Sequence, residues 1–266
     1  MLYKYCTTEG FDILLQSRLR ATAIEKFNDP FELIFGVDEW AALEIISREF
    51  EEDSALAEVW NHILDEERIQ FDKNSIEDLV EKVTLFQIRD FGKVAKEIKQ
   101  HWNKNMGIIC LSESADIIQM WAHYTDNHEG IVIGLDENYL VKDKMALVKV
   151  CYRDEMVLLP VTASPDKIEQ YEKYFDEVIR RKENNWKYEK EVRLYANFDD
   201  KDTDGNYYVN IPPSSITEIY LGLRSYETTE IIAKSIKQRK EYNHLRIYTR
   251  WTGTQVPSNY YRENYD

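Results

Sequence analysis

Glycine is scarce in this chain, nine in 266 residues, and the glycine-rich signatures that cradle phosphates are missing. There is no Gly-x-Gly-x-x-Gly and no phosphate-binding loop, which disfavours a nucleotide held by backbone amides in the usual ways. Gly-x-Ser-x-Gly and His-Glu-x-x-His are absent as well, removing the serine-nucleophile elbow and the zinc-protease helix. Cysteine is limited to Cys6, Cys110 and Cys151, odd in number and far apart. Buried thiols in a reducing compartment are the expectation, rather than a disulfide framework or a metal site. No apolar run approaches the ~18 residues of a membrane span, and the first residues show no charged-then-apolar leader, so a cytoplasmic protein with no membrane partner is expected. Basic residues are outnumbered 34 to 49, giving a net charge of −15. That imbalance repels nucleic acid over most of the surface, though it leaves room for a local basic cleft.

What the chain does contain is 43% hydrophobic and 13% aromatic residues, including 18 tyrosines, the composition of a folded globular protein. Strand-like runs occupy residues 1–6, 19–23, 106–112, 130–135, 145–152, 207–211, 217–223 and 245–250. Helical spacing is expected at 8–16, 116–124, 165–185 and 226–239. Between them, residues 38–102 read as helical throughout, with Leu43, Ile46 and Phe50, then Leu56, Val59 and Trp60, then Phe91, Val94 and Ile98 forming apolar stripes. Acidic residues fill the remaining helix positions. The pattern predicts one α+β domain over 1–266, with a mixed, largely antiparallel sheet and an inserted helical subdomain at about 38–102. Nothing in the sequence sets an oligomeric state.

Four polar clusters interrupt segments that otherwise look like core. The densest is Trp186-Lys-Tyr-Glu189-Lys-Glu191-Val-Arg193. Read as a strand, it places Glu189, Glu191, Arg193 and Tyr195 on one face, about 7 Å apart, with Val192 and Leu194 opposite. Two carboxylates on one face are costly to bury unless Arg193, a metal or a ligand compensates, whereas a cross-strand salt-bridged surface costs little. Asn28-Asp29-Pro-Phe-Glu32 is strong turn chemistry, with Asp29 set either to cap a backbone amide or, with Asn28 and Glu32, to bind a ligand. Ser112, at the end of a strand, suits a helix cap or a site hydroxyl. In Met120-Trp121-Ala-His123-Tyr124-x-x-x-His128-x-Gly130, Trp121 and Tyr124 are either core or a stacking surface for an aromatic ligand. His123 and His128, five apart, do not match zinc spacing, and no metal is expected there.

Taken in chain order, Leu2-Tyr-Lys4-Tyr5, Phe27–Glu32, Cys110-Leu-Ser112, Met120–Gly130 and Trp186–Arg193 resemble an uncharacterised bacterial family, the domain of unknown function 2971. Their layout is also similar, more distantly, to ADP-ribosyltransferase-like toxins. That similarity implies an NAD-consuming enzyme, as in a toxin or phage-defence effector, with NAD as its substrate. By it Glu191 is the catalytic carboxylate and Glu189 orients the acceptor. Tyr124 or Trp121 stacks on nicotinamide, and Lys4 or Tyr5 holds the adenosine side. The first motif departs from those toxins in carrying Lys4 where they have Arg or His. Two further readings stay open from the residues themselves. One is a metal-dependent hydrolase or nuclease built from Asp29, Glu32, Glu189 and Glu191, which requires at least three of the four to converge on one point. The other is a non-enzymatic sensor or interaction module in which the clusters brace loops.

Overall fold

A computed structural model describes residues 1–29, 31–38, 91–141, 145–160, 171–197, 206–250 and 261–263. Most of the expected helical insertion, residues 39–90, therefore lies outside the described residues. The chain divides into two compact units. The first comprises Met1–Glu32, Asn105–Asp154 and Ile179–Asp266, and the second Leu33–Lys104 and Glu155–Val178.

The first unit holds an eight-stranded sheet in the order β14-β13-β12-β5-β1-β4-β10-β6. Its strands are β1 (Leu2–Cys6), β4 (Met106–Ser112), β5 (Ile131–Leu135), β6 (Met145–Lys149), β10 (Glu191–Asn197), β12 (Ile216–Leu221), β13 (Arg246–Arg250) and β14 (Tyr261–Glu263). Only β12 and β13 run parallel; every other neighbouring pair is antiparallel. The α+β class with a mixed, largely antiparallel sheet is thus what the structure shows. Helices α1 (Phe11–Gln16), α3 (Ile118–Tyr124) and α5 (Tyr226–Lys237) belong to this unit. So do the antiparallel pair β2 (Arg18–Ala21) and β11 (Tyr207–Asn210), and the short parallel pair β7 (Cys151–Tyr152) and β9 (Arg181–Lys182).

Alternation sorts the side chains into two unlike faces. Leu2, Ile109, Leu111, Ile131, Ile133, Leu135, Val192, Leu194, Ile219, Leu221 and Ile247 join one aliphatic core, covered by α1, α5 and the β2–β11 pair through Phe11, Leu14, Ala233, Ile236, Leu19 and Val209. The opposite face is aromatic and polar. There Tyr5, Val132 and Tyr220 pack with Met120 and Trp121 of α3, flanked by Tyr3, Tyr124, Tyr188 and Tyr248.

The sheet is not closed evenly along β1. The ladder to β4 has a single pair, Tyr3 opposite Ser112. Beyond it the Lys4 ammonium donates to the Cys110 carbonyl at 3.1 Å. Farther along, Thr22 exchanges two backbone bonds with Ile108, at 2.7 and 2.9 Å. The strands therefore part next to the polar face, and this parting positions the candidate site.

In the second unit, β3 (Phe35–Val37) pairs in parallel with β8 (Val157–Leu159). Helix α2 (Phe91–Asn105) carries its stripe inward at Ile98 and Trp102, and the Trp102 ring meets Phe35 and Phe175 edge-on at 5.5 and 5.1 Å. Helix α4 (Glu172–Arg180) ends at Arg180 rather than at the expected 185, residues 165–170 of the expected span lying outside the described residues, and it buries Phe175 and Val178 as its spacing predicts. Its end is followed at once by β9 and then by a 3-10 helix over Asn184–Glu189.

None of the three cysteines is disulfide-bonded; Cys6 and Cys110 are half-buried, and Cys151 is exposed because β7 is a two-residue strand outside the main sheet. No helix among the described residues is long and apolar enough to cross a membrane.

Candidate functional site

The polar face of β10 presents Glu191, Arg193 and Tyr195, opposite Ser112, Cys110 and Ile108 of β4. Arg193 is fully buried, and its guanidinium is used on three sides. Nε and Nη2 donate to the two Glu191 oxygens at 2.8 and 3.0 Å, Nη2 also to Glu32 at 3.0 Å, and Nη1 to the Ile179 carbonyl at 2.8 Å. The Phe27 ring lies 5.7 Å from its centre. A bidentate fork of this kind is among the stronger ways to hold a carboxylate.

A second cation, Lys182, enters from β9. Its ammonium lies 2.6 Å from Glu32, 2.6 Å from Glu189 and 3.0 Å from Glu191. Three carboxylates do converge on one point, as the metal reading requires, but the Lys182 ammonium fills that point. Asp29, the fourth carboxylate of that reading, instead accepts from the Phe31 amide at 2.8 Å and closes its own turn. Among the described residues no group of three His, Cys, Asp or Glu side chains is arranged to hold a metal ion.

Glu189 reaches the cluster by a route the alternation pattern does not predict. Asn184–Glu189 is a 3-10 helix, Lys190 adopts a left-handed conformation at φ 47°, and the strand begins only at Glu191. For a lysine that conformation is strained, at a cost of roughly 1–3 kcal/mol. It turns the chain so that both carboxylates face Lys182. Ser112, fully buried, fixes the bend by donating to the Glu189 carbonyl at 2.7 Å while accepting from the Ser114 amide at 3.2 Å. It caps no helix: α3 starts at Ile118 with no side-chain cap. Tyr124, from the end of α3, donates its hydroxyl to Glu189 at 2.6 Å.

Burial and pairing push the two carboxylates apart. Burial raises Glu191, but Arg193 and Lys182 outweigh it and hold the carboxyl down at about 2. For Glu189 burial wins over Lys182 and Tyr124, and its pKa is raised. Tyr124 is driven upward by burial and by the Glu189 charge, so it is a neutral donor. Burial lowers Lys182, yet Glu191, Glu32 and Glu189 raise it more, and the ammonium stays charged. With Glu189 ionised, three carboxylates face two cations and the cluster carries one net negative charge.

A cavity of about 330 Å³ opens beside this cluster, its wall formed by Glu32, Lys182, Glu189 and Glu191 together with Tyr3, Tyr5, Phe27, Asn28, Met120 and Tyr124. A neighbouring cavity of about 340 Å³ lies under α1, lined by Arg18, Arg20, Thr7, Asp12 and Tyr208 among others. The two share Lys4, Tyr5, Thr22 and Tyr124 as wall residues, at the parting of β1 and β4.

The structure thus brings Glu32, Glu189, Glu191, Arg193, Ser112 and Tyr124 together, with Lys4, Tyr5 and Asn28 on the adjoining wall. It does not bring in Trp121 or His123. Trp121 is fully buried, donates to the Ala115 carbonyl at 2.8 Å and is stacked by the His128 ring, so no ligand can lie on it. His123 is exposed, 3.3 Å from the Tyr188 hydroxyl. The spacing of this motif has a packing origin. His128 sits in a left-handed turn after Asp126 and Asn127, and a Cβ at Gly130 would lie 2.1 Å from the Cys6 carbonyl oxygen. Residues that sequence reasoning missed are Lys182 and Tyr152, whose hydroxyl accepts from the Glu191 amide at 2.7 Å. The one local signal for Lys182 is a run of three basic residues, Arg180-Arg181-Lys182, placed just where an amphipathic helix ends.

No curated protein and no solved structure matches the chain. Residues 120–194 match the family model described as Protein of unknown function (DUF2971), a stretch that runs from Met120 of α3 to Leu194 of β10 and so carries both the Trp–His–Tyr motif and the Glu-x-Glu-x-Arg segment.

Proposed function

We propose that the chain is an NAD-consuming glycosyl or ADP-ribosyl transferase in which Glu189, rather than Glu191, is the reacting carboxylate. The observation that carries this reading is the division of labour between the two. Both Glu191 oxygens are engaged by Arg193 and Lys182, which makes Glu191 a positioning residue. Glu189 lines the same cavity as Glu191 but is held by Lys182 and the neutral Tyr124 hydroxyl rather than by a guanidinium fork, and its pKa is raised.

Loss of nicotinamide from NAD breaks the C–N glycosidic bond, the bonding pair leaves with the neutral base, and positive charge develops on the ribose ring. Carboxylates fixed beside the cavity stabilise that charge. The nucleophile, water or an acceptor hydroxyl, then forms the new bond to the same carbon and gives up its proton. A carboxylate with a raised pKa is a suitable acceptor for it. Tyr3, Tyr5 and Phe27 offer aromatic walls for the base.

A second reading, a ligand-binding module without catalysis, is favoured by the extent of pairing: every carboxylate in the cluster already has a cation. One assay separates the two. Purified protein is incubated with NAD and released nicotinamide is followed for wild type and Glu189→Gln. Release by wild type, lowered at least about 100-fold by the substitution, is expected. No release by wild type, with several acceptors present, overturns the transferase reading. If the chain acts as a toxin, growth arrest on expression is relieved by the same substitution.

A further inference from the structure

The cavity under α1 differs in character from the one that holds the carboxylates. Strand β2 buries Leu19 and Ala21 in the aliphatic core, so Arg18 and Arg20 share the opposite face, about 7 Å apart by strand geometry. Tyr208 stands opposite Arg20 in the β2–β11 ladder, and the Arg18 guanidinium lies 3.7 Å above its ring. Stacking of this kind fixes the plane of a guanidinium. Lys4 adds a third cation from β1, held by its bond to the Cys110 carbonyl. Two carboxylates, Glu9 and Asp12, also line the cavity, but no ion pair joins either to these cations among the described residues. Among the described residues the cavity wall thus gathers three cations, in a chain whose net charge is −15.

We infer that this cavity is a phosphate subsite, taking the mono- or diphosphate of a small ligand between Arg18, Arg20 and Lys4. The chemistry is that of planar guanidinium forks meeting phosphate oxygens, with a point-charge ammonium beside them. A small cationic hollow on an acidic protein admits a compact phosphate while the surrounding surface repels a polyanion. Because Lys4, Tyr5 and Tyr124 line both cavities, a ligand with its phosphates here can place its next sugar toward Glu189. The inference rests on the transferase reading only for that orientation; the subsite stands or falls separately.

The test is calorimetric titration with pyrophosphate, and with orthophosphate as a second probe, at low salt. The proteins are wild type, Arg20→Gln, Glu189→Gln and the exposed control Lys240→Gln. Arg20 is exposed, so its substitution leaves the core intact. Wild type, Lys240→Gln and Glu189→Gln should bind pyrophosphate alike, with Arg20→Gln about tenfold weaker. Tighter binding of pyrophosphate than of orthophosphate indicates a diphosphate ligand, and equal binding a single phosphate. Failure of wild type to bind either anion, or equal binding by Arg20→Gln, overturns the subsite. Pyrophosphate binding without nicotinamide release removes the transferase reading alone, and nicotinamide release unaffected by Arg20→Gln removes only the orientation of the ligand toward Glu189.

Discussion

Arg193 and Leu194 are consecutive residues of β10, each with 0% of its surface exposed, and they point to opposite faces of one sheet. Leu194 enters an aliphatic core where any well-shaped hydrocarbon neighbour serves, because burial of apolar surface is non-directional. Arg193 enters a cluster where Glu191, Glu32 and the Ile179 carbonyl must each stand within about 3 Å of a particular nitrogen. Equal burial thus serves two ends. One face holds the fold together, and the other spends stability on fixing charges beside a cavity.

That contrast is broken most directly by Arg193→Met. It keeps the volume roughly constant but leaves Glu191 and Glu32 to share Lys182, and a loss of about 3–5 kcal/mol in denaturant unfolding is expected. A loss below about 1 kcal/mol would mean that water reaches the cluster and that the two faces are not so different. Leu194→Ala, measured the same way, should cost about 2–5 kcal/mol through lost burial and a cavity, with no change in the pH profile.

The pH profile itself sharpens the comparison. Glu191 has a folded pKa of about 2, below its ordinary value of 4.5, so its stabilisation is present above pH 4.5 and lost as pH falls toward 2. The effect is on the order of 3 kcal/mol at most. Glu189 has the opposite sign: with its pKa raised, its contribution is present below its ordinary value and lost as pH rises through the folded one. Unfolding free energies from pH 2 to 7 should therefore fall on the acid side for wild type and for Leu194→Ala. Glu191→Gln should flatten that fall.

Much of the first unit was legible because strand alternation and helix spacing are local. The runs at 106–112 and 130–135 became β4 and β5 at the center of the sheet, and the grouping of Glu191, Arg193 and Tyr195 on one face held once the strand began. The placement of Glu189 on that strand did not hold, since a left-handed Lys190 overrode the alternation. The sequence leaves Trp121 either to stack on a ligand or, as such aromatics more often do, to fill the core. An indole whose N–H finds a carbonyl at 2.8 Å and whose ring meets His128 is fully satisfied inside.

The sequence by itself determined the two-faced sheet, because a side-chain period of two is a property of extended backbone and needs no distant partner. It also determined which residue types were available for a charged site. Only the tertiary structure decided how those charges pair. Lys182 comes from a two-residue strand nine residues before Glu191 and meets it across the intervening 3-10 helix, whereas Glu32 comes from a turn near the start of the chain and meets β10 across a long sequence separation. An ion pair of that kind leaves no periodic trace in either segment. Lys182 holds both Glu189 and Glu191 and both line the cavity, so what sets Glu191 apart is the Arg193 fork on its two oxygens.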